Sequence, residues 1–461
     1  MQINKEGILM YRFPNELKDV KKIGLIGLGK TNGELLDYLS RRGGISFTLR
    51  EDVRSGITDQ RIDDYYSGNS VLSDIREQVI IPSPSFKRER RELIEAQARG
   101  ARVVGDCEMF FENAHSPIFA ISGSDGKSTT TELAARLLGA SDKRVLKSGN
   151  CGRAMTPRLE EEDGACHVVE LSSFMLEYCE PKSCSAVITS LSENHLNWHG
   201  SFENYLAAKA RLLKQAERIT LNYDSPEAMK LFRKGSTALI SLSASEKELL
   251  RRGATHTVTL AENYIILDGA RVLNTERLAR RESYNIMNIM SAISLTAEHT
   301  SPDAIEEALS DFQGLEHRCE RVPTSLPFDI YNSSIDSSPQ RTAQTMLGLD
   351  RRVTLILGGR DKGLSYEPLL SPIARYADAV IIYGENAARL YSALSSSRAI
   401  KRAEVKLFMR SSLEEATKLA MAITSRGGAI LFSPASVSYD QFKSFEERGC
   451  AFKKYISEIC L

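Results

Sequence analysis

One tryptophan, 14 prolines and 8 cysteines are spread over 461 residues. The cysteines, at 107, 151, 166, 179, 184, 319, 450 and 460, form no C-x-x-C pair. That argues against a disulfide framework or a structural zinc site and makes reduced thiols in a cytoplasmic protein the expectation. No run of about 18 apolar residues occurs, so no membrane-spanning helix is expected. The opening MQINKEGILMYRF has no long apolar core, so it does not read as a signal peptide. Charge of one sign is missing too. Sixty Lys and Arg stand against 60 Asp and Glu, so no global field favours nucleic acid or an anionic membrane. The basic stretch 87–102, KRERRELIEAQARGAR, has Glu interspersed at helical spacing and reads as a solvated helix face. Small-molecule partners and a monomeric chain are the expectation.

At this length the chain exceeds one core, and two or three domains are expected. Hydrophobic residues at 42% and charged residues at 26% fit an ordinary globular protein. In the first stretch, strand-like runs at 21–29, 45–49, 79–84 and 101–106 alternate with helical runs, which argues for a parallel sheet with helices on its faces. The glycines at 27, 29 and 33 nearly spell G-x-G-x-x-G, but the third comes one residue late, with Asn at 32. This argues against an NAD site and leaves a phosphate- or uridine-holding turn beside a plain turn. A border falls near 112–117. Beyond it come strands at 166–171, 185–191 and 218–224, a small β-rich stretch near 255–269 and a helix around NIMNIMSAISL. Four more strands, VTLILGG, AVIIYG, VKLFM and AILFSP, alternate with helices to the end.

The most informative run is FAISGSDGKSTTT at 119–131. An apolar strand feeds a turn with Gly123 and Gly126, and a helix follows from Lys127. Such a turn gathers backbone N–H groups around a small concavity where an anion binds. Lys127 adds a point charge, and the hydroxyl of Ser128 or Thr129 can ligate Mg²⁺. A nucleoside triphosphate is the expected guest, although the position of the first glycine in the usual P-loop spacing is Ile121. Glu170 ends the apolar strand of VVELSSF, where a carboxylate could hold a metal, or Glu170 or Ser172 could cap the next element. His195 follows strand 185–191 and is a further candidate ligand. A zinc pair of His195 and His199 lacks a third ligand. Lys209, on an Ala-rich helix, reads as a surface lysine from its residues alone.

Together these motifs resemble those of the Mur ligases, ATP-dependent amide-forming enzymes of peptidoglycan precursor synthesis. Gly123–Ser128 is similar to the family's G-T/S-x-G-K-S/T, and Glu170–Phe174 to E-L-S-S-F. Asn194–Gly200 follows N-H-L-D-x-H-G with Asn197 for Asp. Gly149–Gly152 follows G-N-x-G, and Tyr284, Asn285 and Asn288 follow H-N-x-x-N with Tyr for His. His317 and Arg318 match H-R. Near the end, SPASVSYDQFKSFEERG at 433–449 is similar to the string of the D-glutamate-adding branch, and GGRDKG at 358–363 to G-G-x-x-K-G. Departures are Ser333 for Asp in the opening of the third domain, Ser365 for Asp and Ser85 for Gly.

The resemblance implies an α/β fold of three domains: a Rossmann-like N-terminal sheet at 1–114 for a UDP-linked substrate, a P-loop ATPase-like, mostly parallel central sheet at 115–321, and a Rossmann-like C-terminal sheet at 322–461 for an amino acid. It implies ATP contacts from Gly123, Ser124, Asp125, Gly126, Lys127, Ser128, Thr129, Asn285 and Arg318, with Lys127, Glu170, His195 and Lys209 as catalytic residues. Two Mg²⁺ ions would be held by Ser128, Glu170, His195 and a carbamylated Lys209. The UDP substrate falls to Gly29, Lys30, Thr31, Ser83 and Asn150, and D-glutamate to Lys362, Ser438 and Phe445. Closure of the third domain would assemble reactants spread over three domains. Other readings are a related ligase of the folylpolyglutamate synthase kind, an NAD-dependent oxidoreductase, and a nucleotide-binding homologue without catalysis.

Overall fold

Apolar runs followed by helices build three separate sheets. The structure is a computed structural model that describes residues 13–52, 59–278, 281–310, 312–361 and 363–460. By compactness the chain divides into two units, Met1–Phe312 and Gln313–Leu461.

The first unit carries two sheets. Strands β1 (Lys22–Ile26), β2 (Ser46–Glu51), β3 (Ile62–Ser67), β4 (Val79–Pro82) and β5 (Arg102–Val103) lie in the order β3-β2-β1-β4-β5, all parallel. The order reverses between β1 and β4, and the crevice past their carboxyl ends is where an open α/β sheet binds its ligand. The expected strands are present. The additional β3, IDDYYS, is an edge strand whose exposed and half-buried residues give no apolar run.

The second sheet comprises β6 (Ile118–Ser122), β7 (Arg144–Gly149), β8 (Ala165–Glu170), β9 (Lys182–Ile188), β10 (Gln215–Asn222), β11 (Thr237–Ser241), β12 (Thr257–Ala261), β13 (Tyr264–Leu267) and β14 (Ala270–Asn274). Their order is β14-β13-β12-β11-β10-β9-β6-β8-β7, and only β12-β13-β14 pair antiparallel. β6 is an interior strand between β9 and β8, and the chain leaves it at Ser122 to enter the glycine turn. Helices Lys127–Ala140 and Ser283–Thr296 pack against one face of this sheet in one apolar core. The second helix is buried at every position from Asn285 to Thr296, as an all-round apolar pattern requires.

The two sheets of this unit are tied by polar side chains. Asp106 is buried, and its carboxylate accepts from the N–H of Met155 at 2.7 Å and of Thr156 at 2.8 Å. Burial pushes its pKa up, against the pull of those amides. Glu34 accepts from Ala154 N at 3.0 Å. Glu162 receives His115 N at 3.1 Å and so holds the connection between the sheets.

The unit Gln313–Leu461 holds β15 (Glu320–Arg321), β16 (Asp329–Asn332), β17 (Val353–Gly358), β18 (Ala377–Tyr383), β19 (Lys406–Met409) and β20 (Ala429–Phe432), in the order β15-β16-β20-β17-β18-β19. The four apolar runs of the sequence are β17 to β20. β15 and β16 are too short and too polar to stand out. No helix among the described residues is long and apolar enough to cross a membrane.

Candidate active site

The glycine turn is shaped by two positions that tolerate no side chain. Gly123 has φ +151°, and a Cβ there would lie 2.0 Å from Thr189 Oγ1; Gly126 has φ +83°, and a Cβ would lie 2.2 Å from Asn288 Oδ1. Only glycine meets both the conformation and the approach. The 189–192 segment laces the turn. Ser124 N donates to Ser190 O at 2.8 Å, Asp125 N to Ser190 Oγ at 2.9 Å, and Ser124 Oγ to Ser192 O at 3.0 Å. Gly126 is the N-cap of helix Lys127–Ala140, so Lys127, Ser128 and Thr129 form its first turn, where N–H groups and the helix dipole favour an anion.

Two lysines converge on this turn. Lys127 Nζ donates to the carbonyls of Gly123 and Ser124, both at 2.9 Å. Lys209 Nζ donates to the same Gly123 carbonyl at 2.8 Å and to Ser122 Oγ at 3.2 Å. The surface reading of Lys209 is therefore corrected: the side chain is 1% exposed. Helix Phe202–Ala210 turns it inward over the ring of Tyr205, at 4.9 Å. Burial first, and then the Lys127 charge, hold its pKa well below the usual lysine value.

Glu170 ends β8, in register with Ile121 of β6 and Gly149 of β7. It is 1% exposed. Its Oε1 accepts from Asn150 Nδ2 at 2.7 Å, while its Oε2 has no partner among the described residues. Ser172 caps helix Ser173–Leu176 by accepting from Met175 N. Asn150, expected at the UDP substrate, thus lies on Glu170. His195 is exposed at the head of the turn Leu196–His199, with φ +53°, and its ring lies 4.8 Å from that of Phe174. His199 points elsewhere: it is buried, its Nε2 pairs with Ser173 Oγ at 3.0 Å, and desolvation lowers its pKa. The His195–His199 zinc pair therefore has no support. Asn285 and Asn288 are buried on helix Ser283–Thr296, and Tyr284 is half exposed.

At the first sheet's crevice Gly29 caps helix Lys30–Ser40. Lys30 and Thr31 open that helix, and Ser83 N donates to Ile26 O at 2.9 Å. Lys30 reaches the Gly149–Gly152 turn, its Nζ 3.9 Å from where a Cβ on Gly152 would sit. The late third glycine finds its reason in Asn32. Its Nδ2 lies 2.8 Å from Gly27 O, 3.2 Å from Ile26 O and 3.3 Å from Ile81 O, bridging β1 and β4.

In the other unit, Ser438 is buried in the loop between β20 and helix Phe445–Cys460, and its carbonyl accepts from Phe442 N at 2.9 Å. The helix opens at Phe445, not at Ser438. Phe445 is half buried, its carbonyl accepting from Ser334 Oγ at 2.8 Å. Arg318 is half buried between His317 at φ +63° and Cys319 at φ +48°. Ser333, at the position of the missing Asp, accepts from Cys319 N at 3.1 Å. Lys362 lies outside the described residues. Three further side chains escaped the sequence reading. Tyr205 pairs its hydroxyl with Ser124 Oγ at 2.8 Å and is pushed up to about 12 by burial. Arg448 is fully buried and donates to Ser334 O at 2.8 Å, and its Nη1 lies 3.1 Å from where a Gly359 Cβ would sit. Asn32 is the third. The signal for Arg448 was its place in the 433–449 string; for Tyr205 and Asn32 only the fold supplies one.

Comparisons with known proteins agree with this geometry. Residues 121–296 match the model of the Mur ligase middle domain. The UDP-N-acetylmuramoylalanine–D-glutamate ligase of Acetivibrio thermocellus is 30% identical over 464 residues, covering 97% of this chain and 98% of the relative. That of Clostridium botulinum is 30% identical over 450 residues, covering 95% and 97%. Among solved structures, the UDP-N-acetylmuramate-alanine ligase MurC of Thermotoga maritima matches with TM-score 0.60 at 15% identity over 95% of this chain and 98% of that one. A pseudomurein peptide ligase type C of Methanothermus fervidus matches with TM-score 0.54 at 17% identity, over 95% and 100%. The chain belongs to the Mur ligase family.

Proposed function

We propose that the protein is an ATP-dependent ligase that joins D-glutamate to UDP-N-acetylmuramoyl-L-alanine through an acyl phosphate, a step of peptidoglycan precursor synthesis. The observation that carries the chemistry is the convergence of Lys127 and Lys209 on the Gly123 carbonyl at the mouth of a phosphate-type turn. The substrate choice is supported by full-length likeness to D-glutamate ligases and by the 433–449 string. Domains at 1–114, 115–321 and 322–461 would surround the three sheets in turn, except that the last border leaves the short strand β15 of the third sheet on the central side.

The γ-phosphate would lie on the N–H groups of Gly123 to Thr129, with Lys127 leaving its own loop carbonyls to take the phosphate charge. Asn285 and Arg318 are the further proposed nucleotide contacts. The residues fit a divalent cation, because Glu170 Oε2 is a buried carboxylate oxygen without a partner among the described residues. We assign Ser128 and Glu170 to one Mg²⁺, and His195 with carbamylated Lys209 to a second. Magnesium there would offset charge on the transferring phosphoryl group. Burial, and then the Lys127 charge, lower the pKa of Lys209 and so favour its neutral amine. A neutral amine can add carbon dioxide, losing a proton to solvent and becoming an anionic oxygen ligand.

The alanyl carboxylate oxygen attacks the γ-phosphorus and ADP leaves. The D-glutamate nitrogen then attacks the acyl carbon, phosphate leaves, and the nitrogen gives up a proton. Holding the reactants in place contributes about 7–11 kcal/mol in well-oriented systems. Gly29, Lys30, Thr31, Ser83 and Asn150 are assigned to the UDP substrate, and Lys362, Ser438 and Phe445 to D-glutamate. The test is phosphate release with ATP, Mg²⁺, UDP-N-acetylmuramoyl-L-alanine and a panel of amino acids. Release with D-glutamate and a new peptide bond is expected. Release only with another amino acid would reassign the substrate, and nucleotide binding without release would mark a silent homologue.

A further inference from the structure

The basic stretch 87–102 does not behave as one solvated helix face. The helix covers only Arg91–Ala98, and the three residues Lys87, Arg88 and Glu89 dock on the central sheet's side of the same unit. Arg88 lies 4.2 Å over the ring of Tyr178 and donates its N–H to the Tyr178 hydroxyl at 3.2 Å. That hydroxyl donates to Glu89 at 3.0 Å. Lys87 Nζ sits 4.4 Å over the ring of Trp198 and 3.4 Å from Glu177 Oε1. The other oxygen of Glu177 accepts from Trp198 Nε1. One carboxylate thus grips a cation and an indole at once.

What Trp198 touches next gives the contact its meaning. Trp198 N donates to His195 O at 2.9 Å. Its ring meets Phe174 edge to face at 4.9 Å, and Phe174 lies against His195 at 4.8 Å. On its other side Phe174 lines a crevice with Thr31, Pro82, Pro84 and Arg88, at the carboxyl ends of β1 and β4. His195 itself is exposed and held in a left-handed backbone conformation, which persists only where neighbours enforce it.

We propose that Lys87, Glu177 and Trp198 form a clamp through which the loop after β4 sets the position of His195. Trp198 and Lys87 are positioning residues that act through His195. The inference rests on the function proposed above for the role of His195, and the clamp couples occupation of the first sheet's crevice to readiness of the phosphate site. A cation held over an indole is favourable but weak, so it biases a loop without locking it.

The experiment compares the full-length chain with its Lys87→Ala, Lys87→Arg and Trp198→Phe variants. Lys87→Ala and Trp198→Phe are expected to raise the Mg²⁺ concentration for half-maximal phosphate release about tenfold, the low end for residues that orient a metal ligand, with the rate at saturating Mg²⁺ little changed. Lys87→Arg keeps a cation over the ring and is expected to restore the wild-type requirement. A contact that only glues the sheets would lower the melting temperature and leave the Mg²⁺ requirement alone, and that result overturns the clamp. A second readout needs no turnover, because Trp198 is the chain's one tryptophan. Adding UDP-N-acetylmuramoyl-L-alanine is expected to change its emission saturably in wild type and not in Lys87→Ala. No change in wild type, or equal changes in both, overturns the proposal. An emission change that depends on Lys87 in protein that releases no phosphate would sink the ligase function and leave the clamp standing.

Discussion

The first unit contains two strand–turn–helix devices built from similar letters and put to different use. At the first sheet, Gly27 to Thr31 lead from β1 into a helix whose Lys30 is exposed. The ends of β1 and β4 there are joined by a neutral amide, Asn32. At the central sheet, Gly123 to Lys127 lead from β6 into a helix, and near the turn lie two lysines and a buried carboxylate, one of whose oxygens has no partner among the described residues. The first arrangement suits a ligand that is held and released unchanged. The second keeps charges out of water and poised, at a cost the fold bears, which is what a reaction that moves charge requires. On the function proposed above, the same local motif serves as a handle or as a reaction site according to what the sheet's neighbouring strands deliver to it.

The sharpest way to break this contrast is Lys127→Ala. Phosphate release should fall by about a thousandfold or more, the scale set by removing a cation from a phosphoryl-transfer site, with an unchanged circular dichroism spectrum. Near-normal turnover in the folded variant would mean that the central turn is merely another handle. Glu170→Gln comes next. It should lower release about a hundredfold at fixed Mg²⁺ and recover partly as Mg²⁺ is raised; no dependence on Mg²⁺ would remove Glu170 from the ligand set.

Asn32→Ala acts on the other device. It strands carbonyls of β1 and β4 and should cost about 1–3 kcal/mol, read as a lower melting temperature. The KM for the UDP substrate should rise with kcat nearly kept. A fall in kcat with unchanged KM would erase the distinction between the two turns. The smallest effect concerns pH. The folded pKa of Lys209 lies below the usual 10.5, so in the window between the two values the unfolded chain binds more protons, and stability rises with pH there. Lys209→Met should remove this slope in denaturation midpoints followed from neutral pH towards 10. An identical slope in wild type and variant would mean that Lys209 is charged in the folded protein.

Much of this was legible beforehand because period and punctuation carry it. Strands β1, β6, β8 and β17 to β20 are apolar runs closed by glycine or a polar residue, and the glycine turn before Lys127 is plain in the sequence. Strand β3 was hidden because an edge strand with Asp63 and Asp64 has no apolar face to show. The burial of Lys209 was hidden for a different reason: an Ala-rich helix looks the same whether its lysine faces water or the sheet, and only the packing of Tyr205 and Ser122 around it decides. Likewise, nothing in KRE at 87–89 tells that these charges meet the rings of Tyr178 and Trp198, far along the chain on the central sheet's side.

Asp106 has a practical consequence. Its carboxylate is the acceptor for two main-chain amides beyond the border between the first two sheets. A recombinant fragment that begins after that border would leave both N–H groups buried without an acceptor, at about 1–3 kcal/mol each. Excising the nucleotide-type sheet for separate study therefore predicts a poorly folding product, and calorimetry of the intact chain should show residues 13–310 melting in a single cooperative step.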